Sequence, residues 1–159
     1  MAANVFAKFS DIQGESLDSK HKDEVEVLSW SWGVNQSVPI VTGGGSAAGK
    51  AVFQDFHFIH HIDKASPLLL KACATGERIK EATITERKAG KGQQEFLIIK
   101  MNDIIITSVA LSSSGDGATA ESVALQFATV HLEYKPQKAD GSLDAGIHFK
   151  YDIRANKAG

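Results

Sequence analysis

The chain has 159 residues, 23% of them charged, with a formal net charge of −2 and 43% hydrophobic residues. That length supports a single domain with its own core, expected to span residues 1–159. The balanced charge argues against nucleic-acid binding, which leaves a basic excess or stripe, and no segment reaches the ~18 apolar residues of a membrane span.

Alternation and turn punctuation predict eight strands, near 5–9, 24–35, 52–60, 79–88, 95–101, 104–112, 123–134 and 147–153. The N-terminal stretch Met1-Ala2-Ala3-Asn4-Val5-Phe6-Ala7-Lys8 has neither a basic n-region nor an apolar h-region. No signal peptide is therefore expected: the chain should fold in the cytoplasm and leave, if it leaves, by a non-classical route. A polar loop with Gly14 follows the first strand.

In the second strand the apolar phase switches. Val25 and Val27 point one way, Leu28, Trp30, Trp32 and Val34 the other, as in strands that turn a barrel corner. The tryptophans should be core residues, which leaves Ser29 and Ser31 on the opposite, water- or guest-facing side. The loop at 39–49 holds three consecutive glycines.

The strand near 52–60 leads into one short helix, about 66–75. Ser66 is placed as N-cap, Pro67 sits where its missing N–H costs nothing, and Gly76 stands where a left-handed residue ends a helix. Ala65, Leu68, Leu69, Ala72 and Cys73 share a face that must lie on something apolar. Cys73, the one cysteine, reads as a small buried hydrophobe.

Further on, Phe96-Leu97-Ile98-Ile99 and Ile104-Ile105-Ile106 are apolar on both faces and flank an Asn102-Asp103 turn. An antiparallel strand normally keeps one solvated face. One short helix cannot cover both strands, so an oligomer is inferred, with Phe96, Ile98, Ile104 and Ile106 at a subunit interface or under the helix. The last loop, 136–146, carries an Asp140-Gly141 turn.

Catalytic chemistry is weakly supported. Gly44-Gly45-Ser46-Ala47-Ala48-Gly49-Lys50 matches the spacing of a phosphate-binding loop. Ala51 nevertheless replaces the magnesium-binding hydroxyl, and a strand follows where a helix N-terminus should be. On a strand His60 and His61 point to opposite faces, and His57 and His61 lie about 13 Å apart, so these histidines read as sheet-surface residues and not as a metal cluster. There is no GxSxG elbow or HExxH helix. We expect no enzyme, no cofactor and no metal.

A set of segments carries a resemblance. They are Gly14-Glu15-Ser16, Ser29-Trp30-Ser31-Trp32-Gly33, Phe53-Gln54-Asp55-Phe56-His57-Phe58 and Asp63-Lys64-Ala65-Ser66-Pro67. They continue with Ala72-Cys73-Ala74-Thr75-Gly76, Arg87-Lys88-Ala89-Gly90, Asp103-Ile104-Ile105-Ile106-Thr107-Ser108-Val109, Glu133-Tyr134-Lys135-Pro136-Gln137 and Asp140-Gly141-Ser142. In that order they resemble the haemolysin-coregulated protein (Hcp) family, the inner-tube subunits of type VI secretion systems. Tyr151 stands where many members carry tryptophan.

The resemblance implies a mainly β fold: a compact barrel of two antiparallel sheets with one flanking helix. It implies hexameric rings that stack inside a contractile sheath, are tipped by a spike protein and are secreted on contraction, with small effectors in the lumen. With the chain ending at Gly159, no fused toxin domain is expected. On this reading Ser29 and Ser31 face the lumen, and Gly43, Gly44, Gly45, Ser46, Ala47, Ala48, Gly49 and Lys50 form a ring-stacking loop. The competing reading is a monomeric β-barrel binding a small ligand through the His57/His61 surface or an internal pocket.

Overall fold

The computed structural model describes residues 4–37, 49–90 and 92–159. Its strands are β1 (Val5–Phe9), β2 (Val25–Ser31), β3 (Val34–Gln36), β4 (Ala51–Phe53), β5 (Phe56–His60), β6 (Arg78–Arg87), β7 (Glu95–Ser114), β8 (Ala118–Tyr134), β9 (Ile147–Asp152) and β10 (Lys157–Ala158). The helix α1 (Ser66–Thr75) lies between β5 and β6. The mainly β fold with one short helix expected from the sequence holds.

The main sheet runs β10-β9-β8-β5-β2-β1-β6-β7, and β7 pairs again with β8 to close six strands into a barrel. Closure leaves those six strands without a free edge. β3 and β4 form a separate two-stranded sheet. The core joins inward residues of every barrel strand with Ala65, Leu69 and Ala72 of the helix region. Each large apolar side chain buried there contributes about 1.5–3 kcal/mol.

The phase switch in β2 is a β-bulge. Val27 pairs with His60 but Ser29 with Ile59, so Leu28 is an extra residue in the ladder. Val25 and Val27 are buried, Leu28 is expelled to 55% exposure, and Trp30 and Trp32 turn inward beyond it. The tryptophans are half-buried at the margin of the core and not inside it: Trp30 stacks on Phe56 (5.5 Å), Trp32 on Phe53 (5.9 Å). Val34, expected with them, is exposed.

A second switch replaces the expected Asn102-Asp103 turn. β7 is one continuous strand of 20 residues, with Asp103 at φ 57. Asn102 pairs with Glu81 and Thr129, and Ile104 with Ile79 and Phe127, so the row Lys80–Asp103–Ala128 drops out of both ladders. Across it the buried parity flips in all three strands: Ile79 against Ala82 and Ile84, Ile104 and Ile106 against Ile99 and Met101, Phe127 against Ala128 and Val130. At the same level β8 exchanges its other neighbour, pairing with β5 through Glu121–Leu125 and with β9 through Thr129–Tyr134. Ile153 N–H donates to the freed Ala128 carbonyl (2.8 Å), and Arg78 and Arg154 both donate to the Asp103 carboxylate.

The helix ends as expected, with Gly76 at φ 70, but begins differently. Ala65 holds the N-cap position without a side-chain cap. Ser66 Oγ instead accepts from Asp63 N–H (3.1 Å), while Asp63 Oδ1 accepts from Ala65 N–H (2.9 Å). The buried face is narrower than the pattern implied: Leu69 and Ala72 are buried, Cys73 is half-buried and Leu68 is 43% exposed.

Candidate assembly surfaces

Two neighbouring rows on the outward face of the barrel, below the level of Asp103, are alike in chemistry. Ser31 pairs with His57, His57 with Ala124, and Ala124 with Ser108. One row along, Ser29 pairs with Ile59, Ile59 with Ser122, and Ser122 with Ala110. Four strands, β2, β5, β8 and β7, thus present two rows without a carboxylate, lysine or arginine. Ser29, Ser31, Ser108 and Ala110 are exposed, the others half-buried. His57 is tied down by Ser122 Oγ, 2.6 Å from its Nε2.

The four β7 residues expected at an interface separate. Ile104 and Ile106 are buried in the subunit's own core and offer nothing to a neighbour, because the flip at Asp103 turns them inward. Phe96 and Ile98 are half-buried. Phe96 meets Tyr134 edge-on (6.3 Å), and Tyr134 pairs with Ile147, which is 65% exposed, so an apolar strip remains open at this end. Of the glycine-rich loop, Gly43, Gly44, Gly45, Ser46, Ala47 and Ala48 lie outside the described residues, while Gly49 and Lys50 lie just before β4.

The polar loop after β1 covers a second, smaller layer on the outer face. Phe6, Thr85 and Arg87 are buried there. His21 stacks flat on Phe6 (4.4 Å), Arg87 lies over the same ring (4.8 Å), and Arg87 pairs with Asp18. Both nitrogens of His21 meet carboxylates, Nδ1 that of Glu24 (3.0 Å) and Nε2 that of Glu95 (2.7 Å). Hydrogen bonding to Arg87 lowers the Asp18 pKa to about 2. Gly14 is required beneath this layer, since a Cβ there would lie 2.5 Å from the Glu24 carbonyl oxygen. Nothing in the composition of the loop signals this layer.

The histidines divide in a way the sequence reading missed. His61 is exposed, its Nδ1 2.7 Å from the Thr119 carbonyl. His60 is not a surface residue: it is fully buried, and its Nε2 meets the equally buried Glu121 at 2.7 Å. Asp63 Oδ2 lies 3.8 Å from its Nδ1, and burial raises the Asp63 carboxyl above its ordinary value. Among the described residues, no group of three or more His, Cys, Asp or Glu side chains could hold a metal ion.

Comparison with known proteins is consistent along the whole chain. The family model described as "Type VI secretion system effector, Hcp" matches residues 6–134. The protein named hcp1 of Pseudomonas aeruginosa is 43% identical over 159 residues, covering 98% of this chain and 98% of its own length. Among solved structures, Hcp1 from Salmonella typhimurium aligns with a TM-score of 0.80 at 39% identity, over 99% of both chains. A structure described as a type six secretion system protein reaches a TM-score of 0.93 at 25% identity, covering 99% of this chain and 100% of that one.

Proposed function

The chain belongs to the Hcp family of type VI secretion proteins, and we propose that it is a structural subunit of the inner tube and not an enzyme. Hexameric rings stack, sheath contraction expels them behind the spike protein, and small effectors ride in the lumen. The subunit assembles in the cytoplasm and is then secreted by the type VI route.

The observation that carries this reading is the pair of rows running from Ser29 and Ser31 across to Ser108 and Ala110. A wall that passes varied cargo must neither grip nor repel it. Six of the eight side chains in these rows are Ser or Ala, which limits dispersion contact, and the lack of carboxylates, lysines and arginines leaves little field to hold or exclude a guest. We place this face on the lumen. The strip with Phe96, Ile98 and Ile147 supplies an apolar edge for a heterologous contact, which closes into a ring when repeated. Gly43–Lys50 is assigned to contacts between stacked rings.

Sedimentation velocity with negative-stain imaging tests the ring. A closed ring at micromolar concentration is expected, whereas a strictly monomeric profile would sink the proposal and favour a monomeric ligand-binding barrel. Ser31→Glu then tests the lumen: folding and ring assembly should persist while co-purification and export of a lumen-carried effector weaken. Normal effector export by the Ser31→Glu ring would remove Ser31 from the lumen, and loss of the ring would place it at a subunit contact.

A further inference from the structure

His131 on β8 and His148 on β9 stand diagonally across the ladder on its outer face, since His131 pairs with Lys150 and Glu133 with His148. Their rings approach to 5.1 Å, and His131 Nε2 lies 2.9 Å from His148 Nδ1. We propose that this pair chelates a late first-row divalent ion, Zn2+ or Cu2+, through His131 Nε2 and His148 Nδ1, with water completing the shell. Imidazole nitrogens suit these ions. Two such ligands on a tetrahedral ion, each at about 2.0–2.1 Å, stand about 3.3 Å apart. The pair therefore needs to open by only about 0.4 Å, within the reach of side-chain torsions.

A neighbouring carboxylate favours the tautomer that chelation requires. Glu133 Oε2 lies 3.5 Å from His148 Nε2. A proton held at Nε2 toward that carboxylate leaves the Nδ1 lone pair directed at His131, the carboxylate–histidine–metal arrangement in which an outer carboxylate orients the ligand. Two cations oppose binding: Lys150 and Lys100, the register partners of His131 on either side, of which Lys100 is engaged with Glu81 at 3.4 Å. The ion would also tie β9 to β8, and β9 has only the two-residue β10 on its far side.

The test is calorimetric titration of Zn2+ and of Cu2+ into the full-length protein at pH 7.5 in a non-chelating buffer. Saturable binding of one ion per subunit is expected, tighter for Cu2+. His131→Ala or His148→Ala leaves one imidazole and should weaken binding by about 10²-fold or more. Glu133→Gln should weaken it by about tenfold while leaving both ligands. Lys150→Gln should tighten it, which a merely structural role for these residues would not produce. An unchanged affinity in the His131→Ala/His148→Ala double variant would overturn the site, as would the absence of saturable binding up to about 1 mM.

Discussion

Replacing Glu121 with Ala leaves His60 opposite an empty position at the last pair of the β5–β8 ladder. Both side chains are fully buried, they are direct register partners, and their polar atoms lie 2.7 Å apart. The remaining polar neighbour of His60, Asp63, stands 3.8 Å from the other ring nitrogen and cannot take over the lost bond. Removing one partner of a buried pair costs about 3–5 kcal/mol, because the survivor is desolvated without compensation. In a domain of this size 1 kcal/mol moves the unfolding midpoint by about 2–4 °C, so Glu121→Ala should lower Tm by about 6–20 °C. The double variant His60→Leu/Glu121→Leu removes both polar groups and keeps apolar volume, and it should recover most of that loss. Thermal unfolding followed by circular dichroism gives the answer, at fixed protomer concentration because assembly makes Tm concentration-dependent. A drop below 2 °C for Glu121→Ala, or a double variant no better than the single one, refutes the reasoning.

Two further outcomes follow from the geometry. The Arg87 hydrogen bond puts the Asp18 pKa at about 2, below the ~3.9 of an unfolded chain. Its stabilisation is therefore complete above about pH 4 and lost as pH falls from there through about 2. Asp18→Asn should flatten that part of the acid-unfolding profile, and a variant that still follows the wild-type acid curve shows that other groups set it. At Asp103, φ is 57, a conformation that costs most side chains about 1–2 kcal/mol. Asp103→Val should thus be less stable than Asp103→Gly in urea denaturation, even though both lose Arg78 and Arg154; equal midpoints would show that the backbone there is not strained.

The elements that could be read from the sequence were those fixed by local chemistry. Pro67 and Gly76 bounded the helix because each imposes a backbone torsion regardless of its surroundings. The phase switch in β2 was visible because both halves carry large apolar residues, although the sequence could not say that Leu28 itself would be the bulged residue. Asn102-Asp103 misled for a physical reason: aspartate tolerates positive φ, which serves a hairpin turn and a bend inside a strand equally well. The burial of His60 was open to inference, since it shares a parity with Phe56 and Phe58, as Glu121 does with Val123, Leu125 and Phe127. Strand alternation carried that signal, while residue type argued against it. The layer of Phe6, His21, Arg87 and Asp18 left no comparable trace, because its contacts join residues far apart in the chain, Arg87 to Asp18 and to Phe6.

The row Lys80–Asp103–Ala128 explains how three strands can serve two different surfaces. Below it, β8 turns Ser122 and Ala124 outward and keeps Val123 and Leu125 in the core, while β7 buries Ile104 and Ile106 and, after a bulge at Thr107, turns Ser108 and Ala110 outward. Above it the parity is reversed: Ile99, Met101 and Val130 are buried, while Ile98, His131 and Glu133 look outward. A strand of 20 residues with constant parity would carry one kind of surface from end to end. Flipping the parity across β6, β7 and β8 at this row, with the bulge at Thr107 switching β7 once more, lets a wall without carboxylates, lysines or arginines and a charged, partly apolar one share a continuous core. The positive φ of Asp103 permits the flip, and Arg78, Arg154 and Ile153 supply the bonds that the interrupted ladder gives up. The apolar run that suggested a missing neighbour on both faces of β7 is thus largely satisfied within the subunit. What remains open to a partner is the outward end of the strand at Phe96 and Ile98.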